Sequence, residues 1–189
     1  AYSFMVMWET MALSSFFLVT ANHVIPEIRR AGYLYLLIAH IGALAILLCF
    51  GVLQANTGDY TFANMRAQEL TPFWASVAFL LAFFGFGAKA GIVPLHTWLP
   101  AAHPVAPSNI SAFMSGVLIK TGIYGLFRVC AFGLGPPDPS WGVFVLACGG
   151  VSAVLGVLYA LMQHDLKRLL AYHSVENIGI ILIGVGFAM

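Results

Sequence analysis

The sequence predicts an all-α, polytopic membrane helix bundle of about six transmembrane helices, one of them discontinuous. Three observations predict it. The chain of 189 residues is 61% hydrophobic and only 8% charged, against roughly 25% charged residues in soluble domains. Its apolar runs reach the roughly 20 residues that cross a hydrocarbon core of about 30 Å. Between those runs lie short stretches that collect the turn formers and most of the arginines, such as ANHVIPEIRRAG and GLGPPDPS.

The first run, from Tyr2 to about Thr20, carries a single carboxylate, Glu9, in the frame MWETMALSSF. On a helix Glu9, Ala12 and Leu13 share a face that Phe16 and Phe17 continue one turn on, so the carboxylate is expected to look into the protein. A polar hinge with Arg29 and Arg30 follows, and then a second span, Tyr33 to about Leu53, with His40 inside it. A histidine in that position reads first as a packing residue and second as a relay. The stretch QANTGDYTFANMRAQEL is expected to be a polar loop.

The third apolar segment, Thr71 to about Leu99, would be roughly 43 Å long as one straight helix. A break at Gly91 to Pro94 removes the excess, leaving Thr71 to Ala90 as the main span with Lys89 at its broken end. Pro94 to Ala102 is then a short second helix bearing His96 and Trp98. Gly87 and Gly91 form a GxxxG pair, which reads as close helix packing. The fourth span, Pro107 to about Phe132, holds Lys120 roughly 20 Å along its axis and Arg128 near its end, the arginine as an interfacial anchor. A tight polar turn, GLGPPDPS, leads to the fifth span, Trp141 to about Gln163, which has no ionisable residue and reads as structural, with Ser152 and Gly156 at small-xxx-small spacing. The sixth follows HDLKRLL and carries His173 and Glu176 in its first turns. With six crossings, Arg29, Arg30, Lys167 and Arg168 fall on one side and Arg66 on the other, so the positive-inside rule sets the first group, and the hinge around Pro100, in the cytoplasm.

The chemistry concentrates in Gly85 to Lys120, GFGAKAGIVPLHTWLPAAHPVAPSNISAFMSGVLIK. An ionisable group within a spanning segment is expensive and marks a functional site by default. Here Lys89 and Lys120 flank Gly91, Pro94, Pro100, Pro104 and Pro107, which break a helix at membrane depth. Broken backbone survives there only where protein or a cavity supplies hydrogen-bond partners, and a titratable group beside a broken helix is the local chemistry of an ion path. Glu9, Lys89 and Lys120 are the strongly ionisable groups set well inside spans. In a shared interior a carboxylate beside a lysine holds both charged, and drawing it away lets the lysine release its proton. Histidines 40, 96, 103 and 173 can extend such a wire.

At these residues the chain resembles the antiporter-like membrane subunits shared by respiratory complex I, the Mrp antiporters and membrane-bound hydrogenases. The resemblance runs over the whole sequence and is carried by WETMALSSF, GAKAGIVPLHTWLPAAHPVAPS, GVLIKTGIYGLFR and DLKRLLAYHSVENIGI in that order. It implies proton transfer through Glu9, Lys89 and Lys120, the first two as an ion pair between helices and the third passing the proton toward the channel centre. His96 and His173 are further relay candidates. The SVENIG stretch, Ser174 to Gly179, is similar to the hydrogenase branch, that of formate hydrogenlyase subunit 3 and hydrogenase-4 component B, where complex I relatives more often carry SHMG or SQLG. The family's inverted five-helix repeats imply that this is an excerpt of a longer chain. Its single transmembrane domain of residues 1–189 covers the fifth to the tenth helix, with 1–132 most of the first half-channel repeat and 141–189 the start of the second. Ends that begin AYSFMVMWE and stop at GVGFAM inside apolar sequence accord with an excerpt.

The resemblance also implies the setting. It is a multi-pass subunit of a bacterial or archaeal inner membrane, with other membrane subunits and a soluble redox arm as partners. The chain itself holds no cofactor, and iron–sulfur clusters and a NiFe centre belong to partner subunits. The competing readings are a cation/proton antiporter subunit, a haem-binding electron-transfer subunit using His40 and His96, and a passive anchor. A net charge of +1 offers no basic surface for nucleic acid. Cys49, Cys130 and Cys148 are scattered in apolar runs without a CxxC pair, and no P-loop, HExxH or nucleophile elbow is present.

Overall fold

A computed structural model describes residues 1–55, 58–67, 70–134 and 138–189, with the side chains of residues 67 and 132 left aside. The described residues are helical apart from short connections, and six stretches are long and apolar enough to cross a membrane. The elements are α1 (Tyr2–Val19), α2 (Pro26–Gln54), α3 (Phe62–Ala67), α4 (Pro72–Ala90), a 3₁₀ turn (Leu95–Trp98), α5 (Leu99–Val105), α6 (Ser108–Phe113), a π turn (Met114–Leu118), α7 (Ile119–Phe132), α8 (Pro139–Leu161) and α9 (Leu166–Ala188).

Proline sets several of the starts. Ile25, Thr71 and Asp138 are extended, and Pro26, Pro72 and Pro139 open the helices that follow them. The ring disfavours helix at the preceding residue and loses nothing at the first helical position, where the missing N–H has no intrahelical partner. This corrects the expected hinge: PEIRRAG already belongs to α2, and Arg29 donates to the carbonyls of His23 and Val24 at 2.9 and 3.1 Å. The KRLL residues likewise lie in α9, whose N-terminus is capped by Asp165 through Lys167 N at 3.1 Å. The expected polar loop after α2 contains α3, preceded by an Asp59 carboxylate that accepts from Thr61 N and from Asn64 Nδ2. Parts of that loop and of the GLGPPDPS turn lie outside the described residues.

The most deeply buried helix is α4. It packs against α2 on one side and α7 on another, and small residues bring the backbones together: a Cβ on Gly85 would stand 2.7 Å from Gly42 O, and one on Gly122 2.7 Å from Phe86 O. Aromatic rings join α4 to α8, Phe79 stacking on Trp141 with centroids 4.9 Å apart and Phe83 meeting Phe144 edge-on. The closest pair is α8 with α9. Gly149 and Gly156 of α8 face the backbone of α9, where a Cβ would come 2.9 Å from Gly179 O and 2.7 Å from Glu176 N respectively. Outward-facing apolar residues such as Phe17, Leu44, Leu48, Val143 and Leu161 are well exposed, as expected where lipid, not water, is the surrounding medium.

The discontinuity falls where the glycine and prolines predict it. Gly91 adopts φ 75°, ψ 40°, a left-handed conformation that glycine takes without a Cβ penalty. Gly87 O accepts from both Gly91 N and Ile92 N, at 2.9 and 3.1 Å, while the Ile92 side chain covers Gly87. The Gly87–Gly91 pair therefore builds a helix cap and not a helix–helix contact. The short helix expected over Pro94 to Ala102 is a 3₁₀ turn followed by α5, which runs on to Val105. The fourth span is not uniform either. Ile119 N bonds five residues back to Met114 O, a π turn immediately before Lys120.

Candidate proton-path site at the break in the third span

Lys89 sits in the last turn of α4 and is 2% exposed. Its ammonium has reached a polar partner from another helix, donating to Tyr35 Oη of α2 at 2.8 Å. The same nitrogen lies 5.0 Å from the Tyr35 ring centroid and 5.9 Å from that of Trp8, within the range where an aromatic face attracts a cation. Trp98 packs on Tyr35 with centroids 5.0 Å apart. Its indole Nε1 donates to Ala88 O at 2.8 Å, occupying a carbonyl that the helix end leaves open. The C-terminal end of a helix dipole favours positive charge, so the local backbone supports an ammonium here.

The break is held from the far side by α8. Ser152, fully buried, accepts from Val93 N at 3.1 Å and donates to Cys148 O at 2.8 Å. Sequence reasoning assigned Ser152 to packing, and no local signal marks a bond that spans 59 residues. At the other end of α5, Lys167 Nζ donates to Ala106 O at 2.9 Å. That bond brings the start of α9 to the membrane side where α5 ends.

Glu9 departs from its expected place. Trp8, Ala12 and Ser15 form the buried face of α1, and Glu9 lies about 100° away from Trp8 around the axis. Its side chain is 33% exposed and 3.5 Å from His40 Nδ1. The implied Glu9–Lys89 ion pair is replaced by two contacts, Glu9 with His40 and Lys89 with Tyr35, with the carboxylate still an electrostatic neighbour of both Lys89 and Tyr35. Tyr35 was missed because a tyrosine in an apolar span carries no sign of its partner 54 residues on.

Lys120 departs further. It follows the buried Leu118 and Ile119 and is exposed on the surface of the described residues. Among the described residues no hydrogen bond or ion pair joins Lys120 to Glu9 or Lys89. His96 lies in the 3₁₀ turn and His103 in α5, each with a buried Nδ1 that meets no hydrogen-bond partner among the described residues. His173 pairs with Glu176 on its own helix, Nδ1 to Oε2 at 2.5 Å. Next to it, Ser174 Oγ lies 2.8 Å from Ser115 Oγ in the π turn, five residues before Lys120. Among the described residues no group of three or more His, Cys, Asp or Glu side chains is placed to hold a metal.

Comparison with known proteins finds relatives that match nearly the whole chain. The chain is similar to hydrogenase-4 component B of Escherichia coli, 52% identical over 100% of this chain and 28% of that protein. It is similar to formate hydrogenlyase subunit 3 of the same organism, 40% identical over 97% of this chain and 29% of that protein. Among solved structures it resembles a chain of an archaeal membrane-bound sulfane sulfur reductase, with TM-score 0.88 and 26% identity over 98% of this chain and 38% of that one. A chain of the Mrp complex from Dietzia matches with TM-score 0.85 and 26% identity over 98% and 35%. In each case the chain spans well under half the length of its relative. The family model described as NADH:quinone oxidoreductase/Mrp antiporter, TM, matches residues 2–189; with six stretches among the described residues long and apolar enough to cross a membrane and a break in the third, the chain belongs to that family of antiporter-like membrane subunits.

Proposed function

We propose that this chain is part of a proton-translocating membrane subunit of a redox-driven complex of the membrane-bound hydrogenase or formate hydrogenlyase type. Lys89 is the group that takes up and releases the proton. The observation that carries this reading is a lysine 2% exposed in the last turn of a broken helix, with one hydroxyl as its polar partner. Nothing in packing alone calls for an ammonium there, since burying a charge is costly. Tyr35 suits proton transfer because its hydroxyl accepts from an ammonium and donates to a neutral amine, so the contact persists in both states. Glu9 and His40 supply a second titratable pair whose charge Lys89 feels. When the carboxylate is neutralised or drawn away, the ammonium loses support and releases its proton more readily.

Lys120 receives the proton beyond the π turn, on the same span as Ser115, which pairs with Ser174 of α9, while His173 and Glu176 form a further titratable pair on α9. His96 adds a relay at the 3₁₀ turn. Residues 1–132 form most of one half-channel and 141–189 the start of the next, a division supported by the tight α8–α9 pair. Redox chemistry resides in partner subunits of a soluble arm that carry iron–sulfur clusters and a NiFe centre, in a bacterial or archaeal inner membrane. The identity to hydrogenase-4 component B and formate hydrogenlyase subunit 3 supports that setting over a complex I or Mrp setting.

The test is redox-driven proton uptake by vesicles containing the parent complex, with and without sodium. Uptake that is collapsed by an uncoupler and indifferent to sodium supports the reading. Uptake that requires sodium favours a cation/proton antiporter instead.

A further inference from the structure

The contact of α1 with α2 brings a second buried hydroxyl to the tyrosine that meets Lys89. Ser15 lies on the buried face of α1 with Trp8, Ala12 and Val19. Its register against α2 is antiparallel and fixed on both sides, by Phe16 and Thr20 packed on Gly32 and by Glu9 against His40. Between these contacts Ser15 stands opposite Tyr35, and the two hydroxyls are hydrogen-bonding neighbours. We propose that Ser15 is a positioning residue of the proton-transfer site, accepting the Tyr35 O–H so that the lone pairs of Tyr35 Oη face the Lys89 ammonium, a role that rests on Lys89 being the proton-carrying group.

The donors run one way. A serine hydroxyl has one proton and two acceptor lone pairs. Ser15 gives its proton to Met11 O at 2.7 Å, so towards Tyr35 it can only accept. Tyr35 Oη in turn accepts from Lys89 Nζ at 2.8 Å and has its own proton left to give. The chain from ammonium to tyrosine to serine to carbonyl is therefore complete only while Lys89 is charged. Once Lys89 has lost its proton, the amine lone pair takes the Tyr35 O–H, and that hydroxyl turns away from Ser15. Ser15 thus favours the charged form of Lys89 and is the alternative acceptor that lets Tyr35 change direction. It carries no proton onward, because the Met11 carbonyl at the end of the chain has none to release. Both hydroxyl residues are buried, so water does not readily stand in for a lost partner. Besides Tyr35, Glu9 of α1 acts on Lys89 and is paired with His40 of α2, while Lys120 of α7 and His96 of the 3₁₀ turn are basic groups on adjoining elements. All four stay native in every variant of the test.

The full-length subunit in its complex is placed in vesicles, and redox-driven proton uptake is followed against pH for wild type, Ser15→Ala and Ser15→Thr. Without Ser15 the charged lysine loses support and gives up its proton at lower pH. Ser15→Ala is therefore expected to move the midpoint of the profile down by about 0.4 to 1 pH unit, the size of one net hydrogen bond that favours a single protonation state. Ser15→Thr keeps the hydroxyl and should stay at the wild-type midpoint. In a Tyr35→Phe background Ser15→Ala should add nothing, since its effect passes through the tyrosine. The second measurement needs no transport: pH-jump infrared difference spectra of the complex with ring-labelled tyrosine, where the C–O band missing from Tyr35→Phe belongs to Tyr35. That band should shift in Ser15→Ala and coincide with wild type in Ser15→Thr. An unchanged Tyr35 band in Ser15→Ala overturns the proposal, as does a midpoint shift equally large in the Tyr35→Phe background. Failure of the proton-path reading shows separately, as uptake that survives Lys89→Ala while the Tyr35 band still moves with Ser15→Ala.

Discussion

Ser152→Ala removes the acceptor that α8 offers to the broken helix and leaves the Val93 N–H with no partner from that side. The bond is 3.1 Å long and its acceptor is fully buried, so water does not readily replace it. Leaving a buried donor unsatisfied costs about 1–3 kcal/mol, where the net worth of an ordinary hydrogen bond is about 1. At 1.36 kcal/mol per tenfold, the Val93 amide in Ser152→Ala should exchange with deuterated solvent about 5- to 160-fold faster. Hydrogen exchange with peptide-level mass spectrometry on the full chain in detergent reads this directly, with the amides of α2 as an internal reference. Exchange confined to the peptide spanning Gly91 to Trp98 is the expected pattern. An unchanged rate at Val93, with Ser152→Ala folded, would refute the assignment of α8 as the support of the break.

Other consequences follow from the same contacts. Gly156→Ala forces a Cβ to within 2.7 Å of Glu176 N and 2.9 Å of its Cα; because backbone cannot yield as a side-chain tip does, overpacking should cost about 1–3 kcal/mol. Gly150→Ala, which meets nothing within 4 Å, should leave thermal unfolding unchanged or raise it by up to about 1 kcal/mol through helix propensity. Tyr35→Phe deletes the polar partner of Lys89, and loss of a hydrogen bond to a charged group, about 1.5–3 kcal/mol, should slow proton uptake by tenfold or more while the redox turnover of the soluble arm survives. Asp138 caps α8 by accepting from Ser140 N at 2.8 Å, and the Ser140 side chain and backbone hold its carboxyl below the ordinary value. A depressed folded value means that the cap's contribution is present above the unfolded carboxylate range and is lost as pH falls through the folded one. Wild type should therefore destabilise in acid more steeply than Asp138→Asn, as followed by thermal melts between neutral and strongly acidic pH.

Much of the architecture was legible because membrane crossing leaves a blunt signal in sequence. The run lengths and the polar connections gave the six spans, and Gly91 with the prolines after it located the break to within a residue. Lys89 was legible for the same reason, as a charge where only function or a partner could keep it. The remainder depended on how faces turn and on which distant residues meet. Glu9 and Trp8 are adjacent in sequence, yet a 100° step separates the buried face of α1, where Trp8 meets Phe86 and Lys89 of α4, from the flank, where Glu9 meets His40 of α2. The π turn Met114–Leu118 just before Lys120 contains no proline, so SAFMSGVL does not announce it. Tyr35 and Ser152 became functional candidates through bonds 54 and 59 residues long, a distance over which a single sequence offers no pairing rule. Pro26 was read as part of a hinge although proline at a first helical position starts a helix as readily as it ends one.

The central claim is that Lys89 carries the proton across the break, and the most direct measurement is redox-driven proton uptake into vesicles containing the parent complex, wild type against Lys89→Ala, with redox turnover of the soluble arm followed separately. The account predicts loss of uptake in a complex that still assembles and whose soluble arm still turns over. Uptake and turnover both unchanged in Lys89→Ala would contradict it and leave the lysine a structural feature of a passive membrane anchor.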